Sequence, residues 1–229
     1  MAFYYHFKDI YDLVEWCCVE DGTKALQDKA AQLRVDVARM IGPGKVGHLG
    51  GSCSLADIVT VLYYDVMRVN PADPAWPDRD RFLLSKGHAA LIQYAALGDL
   101  GYFPKEEEAT LKKLGSRLQG HPDLRKLPGI EANTGSLGQG LSMAAGMAAG
   151  LRLDGRDSRV YCCLGDGELA EGQVWEAVMA AGVFKLSNLT AIVDERLAGH
   201  RCGEGSLRFQ PLSGEVRGLP LERDRGGWS

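Results

Sequence analysis

Residues 24–41, from Lys-Ala-Leu-Gln to Val-Ala-Arg-Met-Ile, repeat apolar positions at helical spacing and predict a helix that stops at Gly42-Pro43-Gly44. Ser54 is placed to cap a second helix beginning at Leu55 and running to about Val66. Asn70-Pro71 to Pro77 reads as a turn-rich connection, and Arg81–Ser85 as a short apolar strand. Helical patterns follow over Ala89–Leu100 and Lys105–Leu114, then a loop over Leu118–Gly135, then a helix rich in Ala and Gly over Ser142–Leu153. Val160–Leu164 is a wholly apolar strand. Val174, Ala177, Val178 and Ala181 mark a helix after it, and Leu189–Val193 is a further apolar strand ending at Asp194. Strands separated by helices predict an α/β fold: a parallel sheet with helices on both faces.

Composition changes this picture little. The chain of 229 residues is 45% hydrophobic and 24% charged, enough to bury one sizeable core. A net charge of -4 offers nucleic acid or an acidic membrane surface no attraction. Apolar runs are broken by Gly, Asp or Lys well short of the ~20 residues a membrane span needs. Lys8, Asp9, Asp12 and Glu15 interrupt any signal-peptide pattern, so the cytoplasm is the expected location. The six cysteines (17, 18, 53, 162, 163 and 202) form no Cys-x-x-Cys and read as reduced thiols, with Cys162 and Cys163 in a buried strand.

The candidate chemistry sits where the strand Val160–Leu164 runs into Gly165-Asp166-Gly167. Small residues there let backbone N–H groups approach a phosphate, and Asp166 supplies a hard oxygen for Mg2+ or Ca2+. Three histidines invite two readings each. His48, in Gly-His-Leu-Gly-Gly, either caps a turn or presents its imidazole to a ligand. His88 follows a strand end, where ligands gather in open parallel sheets. His121, between Gly120 and Pro122, is either a turn residue or a ligand contact. Gly135-Ser136-Leu137-Gly138-Gln139-Gly140 is either a flexible turn or a backbone path beside a cofactor. Glu168 and Glu171 suit a helix amino terminus electrostatically. Trp175 reads as a packing residue, and Lys86 either neutralises phosphate or is structural. His6 and His200 read as surface residues.

Strand, Gly-Asp-Gly, helix and strand together resemble the thiamine diphosphate motif, and four upstream words narrow the resemblance to the transketolase family: Gly47-His48-Leu-Gly-Gly-Ser52, Asp78-Arg-Asp-Arg-Phe-Leu-Leu-Ser-Lys-Gly-His88-Ala, Leu118-Gln-Gly-His121-Pro-Asp and Asn133-Thr-Gly-Ser-Leu-Gly-Gln-Gly140. The resemblance covers roughly residues 30–194 and looks most like the amino-terminal subunit of a split transketolase. It implies a thiamine diphosphate-binding (diphosphate-domain) fold over 24–194, after an amino-terminal extension of residues 1–23 that has no assigned role. It also implies transfer of a two-carbon ketol group between ketose and aldose phosphates, in the pentose phosphate pathway. By the same resemblance His48, His88 and His121 line the substrate channel, with His88 also near the diphosphate. Gly135 passes beside the cofactor and Leu137 lies on its thiazolium ring, keeping water from the reactive carbon. Asp166 holds the metal and with it the diphosphate, Gly167 donates backbone hydrogen bonds, and Glu171 joins acidic contacts across a subunit interface. The family's glutamate that activates the aminopyrimidine ring belongs to a pyrimidine-binding domain, expected here on a carboxy-terminal partner subunit in a dimer or two-plus-two heterotetramer. A non-enzymatic or inactive remnant is the alternative from another class, and a synthase joining pyruvate to a sugar aldehyde a further enzymatic one.

The resemblance breaks after Asp194. The family continues with another residue and then a metal-binding Asn, whereas Glu195-Arg196-Leu197-Ala198 stand here, and seven glycines and six arginines crowd residues 195–229. A reading frame shifted by one base accounts for this. With Glu195 as GAA followed by C, the next frame yields Asn and, with permitted codons, Gly-Trp-Gln-Ala-Thr-Gly and later Val-Ile-Glu-Val-Asp-Gly. The competing account is a divergent, disordered terminus. Resequencing codons 190–196 is expected to reveal an Asn beside Asp194 one base away. Reads that permit no family-like continuation in that frame would leave the divergent terminus.

Overall fold

The structure, a computed structural model, describes residues 3–6, 23–42 and 47–194. The tail from 195, with its frameshift reading, lies outside the described residues, as do His200, Cys17, Cys18 and Cys202.

Four strands form one sheet in the order β1-β4-β3-β2: β1 (Phe3–His6), β2 (Arg81–Leu84), β3 (Val160–Gly165) and β4 (Leu189–Asp194). Every pairing is parallel, as the alternation of strands and helices predicts. Register sets where the strands end. Leu84 pairs with Cys163 and Gly165 with Asp194, so β2, β3 and β4 all finish at the same edge. Residues 3–6, which the sequence left without a role, pair Phe3 with Thr190 through His6 with Val193.

Alternation along the strands sends successive side chains to opposite faces. Phe82, Leu84, Tyr161, Cys163 and Ile192 join one core with α1 (Thr23–Ile41), α2 (Leu49–Ser54), α3 (Ala56–Val61) and α4 (Ala90–Asp99). On the other face α5 (Gln139–Leu153) lies along β2, β3 and β4 and packs against α6 (Gly172–Val183). Its buried Ala144, Ala145 and Ala148 permit that close approach. β3 and β4 are buried along nearly their whole length, the pattern of a sheet covered twice. Cys53, Cys162 and Cys163 are free thiols, and burial pushes the latter two up, so they behave as inert core side chains.

Two local expectations fail. Ser54 is not an amino-terminal cap: it ends α2, and Leu55 holds the cap position of α3 without a side-chain bond. The Ser54 hydroxyl instead lies 2.5 Å from Asp194 Oδ2, a partner 140 residues away. The helix expected over Lys105–Leu114 is a 3-10 turn, Lys105–Thr110. Leu111 departs to an extended conformation and Lys112 takes a positive φ of 58°, held by its N–H donating to the Leu118 carbonyl. That bond, to a carbonyl six residues further on, overrides local helical preference.

Charged groups of this 3-10 turn, α1 and α4 meet away from the strand ends. Asp99 accepts from Lys29 (2.7 Å) and Tyr64 (2.6 Å), while Lys105 bonds Asp36 at 2.8 Å. Burial alone would raise Asp99, but these donors and the Lys29 and Lys105 charges outweigh it and bring the carboxyl below 3.8. Glu108 has the opposite fate. Its Oε1 has no hydrogen-bond partner among the described residues, and burial, aided by the Asp36 and Asp99 charges and only partly offset by Lys105, pushes its carboxyl up to about 7. The folded state therefore keeps a proton that the unfolded chain releases near 4.5, so Glu108 lowers stability as pH rises from 4.5 to 7. Asp99 acts outside that window, its contribution being lost only as pH falls below 3.8. Glu108→Gln cannot titrate, and its melting temperature is expected to rise relative to wild type as pH goes from 5 to 7. Parallel pH profiles for the two proteins would refute this.

Candidate functional site

The shared strand edge gathers the predicted residues. His48 lies at the amino end of α2, exposed, and its side chain makes no cap hydrogen bond, which removes the turn-capping reading. His88 sits half-buried in the turn Gly87–Ala89 just beyond β2. The two rings meet edge to face, centroids 5.1 Å apart. His121 is exposed at the end of the 105–120 segment, its carbonyl accepting from the Tyr94 hydroxyl at 3.1 Å. Its ring covers Gly135: a Cβ there would come within 2.4 Å of His121 Cδ2, and Gly135 has φ 141°, so only glycine fits. Gly87 is pressed on the same loop, since its Cβ would stand 2.5 Å from the Thr134 carbonyl. Three histidines from three separate segments thus share one locality with the 134–138 loop.

Electrostatics agree with that grouping. Burial, then the charges of His48 and Lys112, hold the His121 imidazole below its usual 6.5. At pH 7 it is neutral and free to accept a proton.

Asp166 is exposed at the end of β3, and its Oδ1 accepts from the Gly167 N–H at 2.8 Å. The Gly167 donor expected for a phosphate is therefore engaged by the neighbouring carboxylate. A diphosphate with a divalent cation fits this edge. Apart from Gly167 and its chain neighbours, no described atom stands within 4 Å of where a Gly167 Cβ would be, so the turn is open. Thr134 Oγ1 is buried with no hydrogen-bond partner among the described residues, a polar atom that a ligand oxygen would satisfy. Among the described residues no three His, Cys, Asp or Glu side chains cluster as a metal site. A cation at Asp166 would draw its other oxygens from phosphate, backbone and water, the manner in which Mg2+ is commonly held.

Leu137, although apolar, is 38% exposed on this loop, and Glu171 is exposed at the cap of α6 without a side-chain cap bond. Trp175 packs with its indole N–H donating to the Leu169 carbonyl. Lys86 resolves to its structural reading. It is 2% exposed and ion-paired to Asp194, which closes it to phosphate.

Sequence reasoning missed Asp194 and Glu168 as parts of this architecture. Asp194 joins Lys86 and Ser54; Glu168 is 1% exposed and bonded to Ser85, Gly138 and Gly165. No periodicity marks either, because every partner except Gly165 is remote in sequence. An acidic residue ending an otherwise apolar strand was the one available signal for Asp194.

The family model described as "Transketolase, thiamine diphosphate binding domain" matches residues 26–199. A 6-deoxy-6-sulfo-D-fructose transketolase subunit of Clostridium sp. (strain MSTE9) is 46% identical over 169 residues, covering 74% of this chain and 62% of the relative. An apulose-4-phosphate transketolase subunit of Phocaeicola vulgatus is 39% identical over 208 residues, covering 90% of this chain and 70% of the relative. Among solved structures, transketolase from Leishmania mexicana superposes with a TM-score of 0.72 at 37% identity, over 76% of this chain. The chain spans less than two thirds of the first of these relatives and 28% of the Leishmania enzyme.

If the histidines are grouped as described, NMR titration will show His121 titrating below 6.5, and Lys112→Ala will move it upward. An unshifted His121 in wild type, or no response to Lys112→Ala, would refute the grouping.

Proposed function

The chain belongs to the transketolase family, and from that membership we propose that it is the diphosphate-binding subunit of a split transketolase, transferring a two-carbon ketol unit between ketose and aldose phosphates. One observation supports this above all: His48, His88 and His121 converge around the 134–138 loop at the edge where the exposed Asp166 ends β3.

When bound, thiamine diphosphate supplies the electron sink that lets a ketose carbon–carbon bond break. The chain's residues bind and orient. Asp166 holds the diphosphate through Mg2+ or Ca2+, and the Gly167 N–H, on leaving Asp166 Oδ1, donates to a phosphate oxygen. Gly135 brings main chain beside the cofactor, and Leu137 shields the reacting carbon from water. His48, His88 and His121 position sugar hydroxyls, with His88 also reaching the diphosphate. The neutral imidazole of His121 receives a hydroxyl proton at neutral pH.

The partner in this proposal is a carboxy-terminal, pyrimidine-binding subunit, with Glu171 at the shared interface and a heterotetramer as the assembly. Two relatives named as subunits support it. Their names, a sulfo-fructose and an apulose phosphate, also support a ketose with an anionic terminus as the substrate class, beyond the pentose phosphates alone. The cytoplasm is the proposed location.

The purified chain should show no ketol transfer alone and gain it when mixed with a carboxy-terminal transketolase subunit. Asp166→Ala should weaken metal-dependent thiamine diphosphate binding by roughly ten- to a hundred-fold in the mixture, measured by calorimetry. Transfer by the pure single chain would overturn the partner requirement, and unchanged affinity in Asp166→Ala would overturn its role.

A further inference from the structure

Glu168 lies in the 3-10 turn Gly167–Ala170, two residues past Asp166, and is 1% exposed. Its two oxygens serve three donors from three segments. Oε1 accepts from the Ser85 hydroxyl and from the Gly138 N–H at 2.8 Å; Oε2 accepts from the Gly165 N–H at 3.1 Å. Each donor adjoins a candidate site residue. Ser85 leads through Lys86 and Gly87 to His88, Gly138 follows Leu137, and Gly165 precedes Asp166.

A buried carboxylate is tolerated where it is fully hydrogen-bonded, so the three donors and Glu168 hold one another in place. We propose that Glu168 is a positioning residue: its carboxylate ties the Leu137 loop and the end of β2 to the Gly165-Asp166-Gly167 turn, and so sets the cleft in which the diphosphate is held. The inference rests on the preceding proposal only for the identity of the ligand. Helix-end electrostatics, the reason the sequence offers for this glutamate, would leave it at the surface with water.

An amide has one acceptor oxygen and one NH2, so Glu168→Gln must turn a donor towards the N–H of either Gly138 or Gly165, which sit on different oxygens. Hydrogen exchange on the full chain is expected to show whichever of the Gly138 and Gly165 amides faces the new NH2 exchanging roughly ten-fold faster in Glu168→Gln, the size of one lost charge-assisted bond, with Tyr161–Cys163 protection unchanged. Ser85→Ala, which deletes one hydroxyl, should release the same two amides to a smaller degree. Thiamine diphosphate with Mg2+, titrated calorimetrically, should bind Glu168→Gln roughly ten-fold more weakly than wild type, and adding Ser85→Ala should weaken it little further because both act through one carboxylate. Wild-type exchange at Gly138 and Gly165 in Glu168→Gln would overturn the inference, as would equal loss of protection throughout β3. If Glu168→Gln does not fold, Ser85→Ala decides by the same two amides. Failure of wild type to bind thiamine diphosphate would count against the proposed function, while the exchange result would still decide the role of Glu168.

Discussion

The ion pair between Lys86 and Asp194 is the constraint on which the strand edge depends. Both groups are nearly sealed from water, at 2% and 6% exposure, and they span β3 to join the ends of β2 and β4. Removing either partner would strand a charge in the interior, at a cost of about 3–5 kcal/mol. The pair therefore tolerates little movement of one strand end against the other. Ser54 adds the end of α2 to the same carboxylate.

Two histidines inherit this geometry. His88 lies two residues beyond Lys86, and His48 sits at the start of the short helix that Ser54 ends. Their edge-to-face contact is thus held from below by Asp194, which acts through Lys86 on one side and Ser54 on the other. Glu168 does the corresponding work on the other side of β3, reaching Gly138 and so the loop under His121. Two buried carboxylates, Asp194 and Glu168, hold the loops on which the proposed site stands. Loops so anchored keep side chains in place without themselves being buried, as the proposed cofactor and substrate site requires.

Much of this was legible along the chain. Mainly apolar strands at Val160–Leu164 and Leu189–Val193, separated by helices, announced a sheet covered on both faces, and the helical repeat at 24–41 matched α1 to within a residue. The motif words named the histidines and Asp166. What could not be read was which loop residues support which. Ser54 looked like a cap because its local surroundings permitted one, and residues 105–114 looked helical because the bond from Lys112 to Leu118 leaves no mark on periodicity. Glu168 had a satisfactory local explanation as a helix-end charge and Lys86 was open between a phosphate contact and a structural role, and both proved to be buried anchors.

The sequence by itself determined the order of strands and helices and the kinds of residue at the turns, because hydrophobic period and turn chemistry act over a few neighbouring positions. Only the tertiary structure decided the strand order β1-β4-β3-β2, the common edge at which His48, His88, His121 and Asp166 gather, and the partners of Lys86 and Glu168. Those depend on pairings between residues from 29 positions apart, Val160 with Leu189, to 187 apart, Phe3 with Thr190. Such pairings are selected by the free energy of burying charge and apolar surface together, which no local pattern encodes.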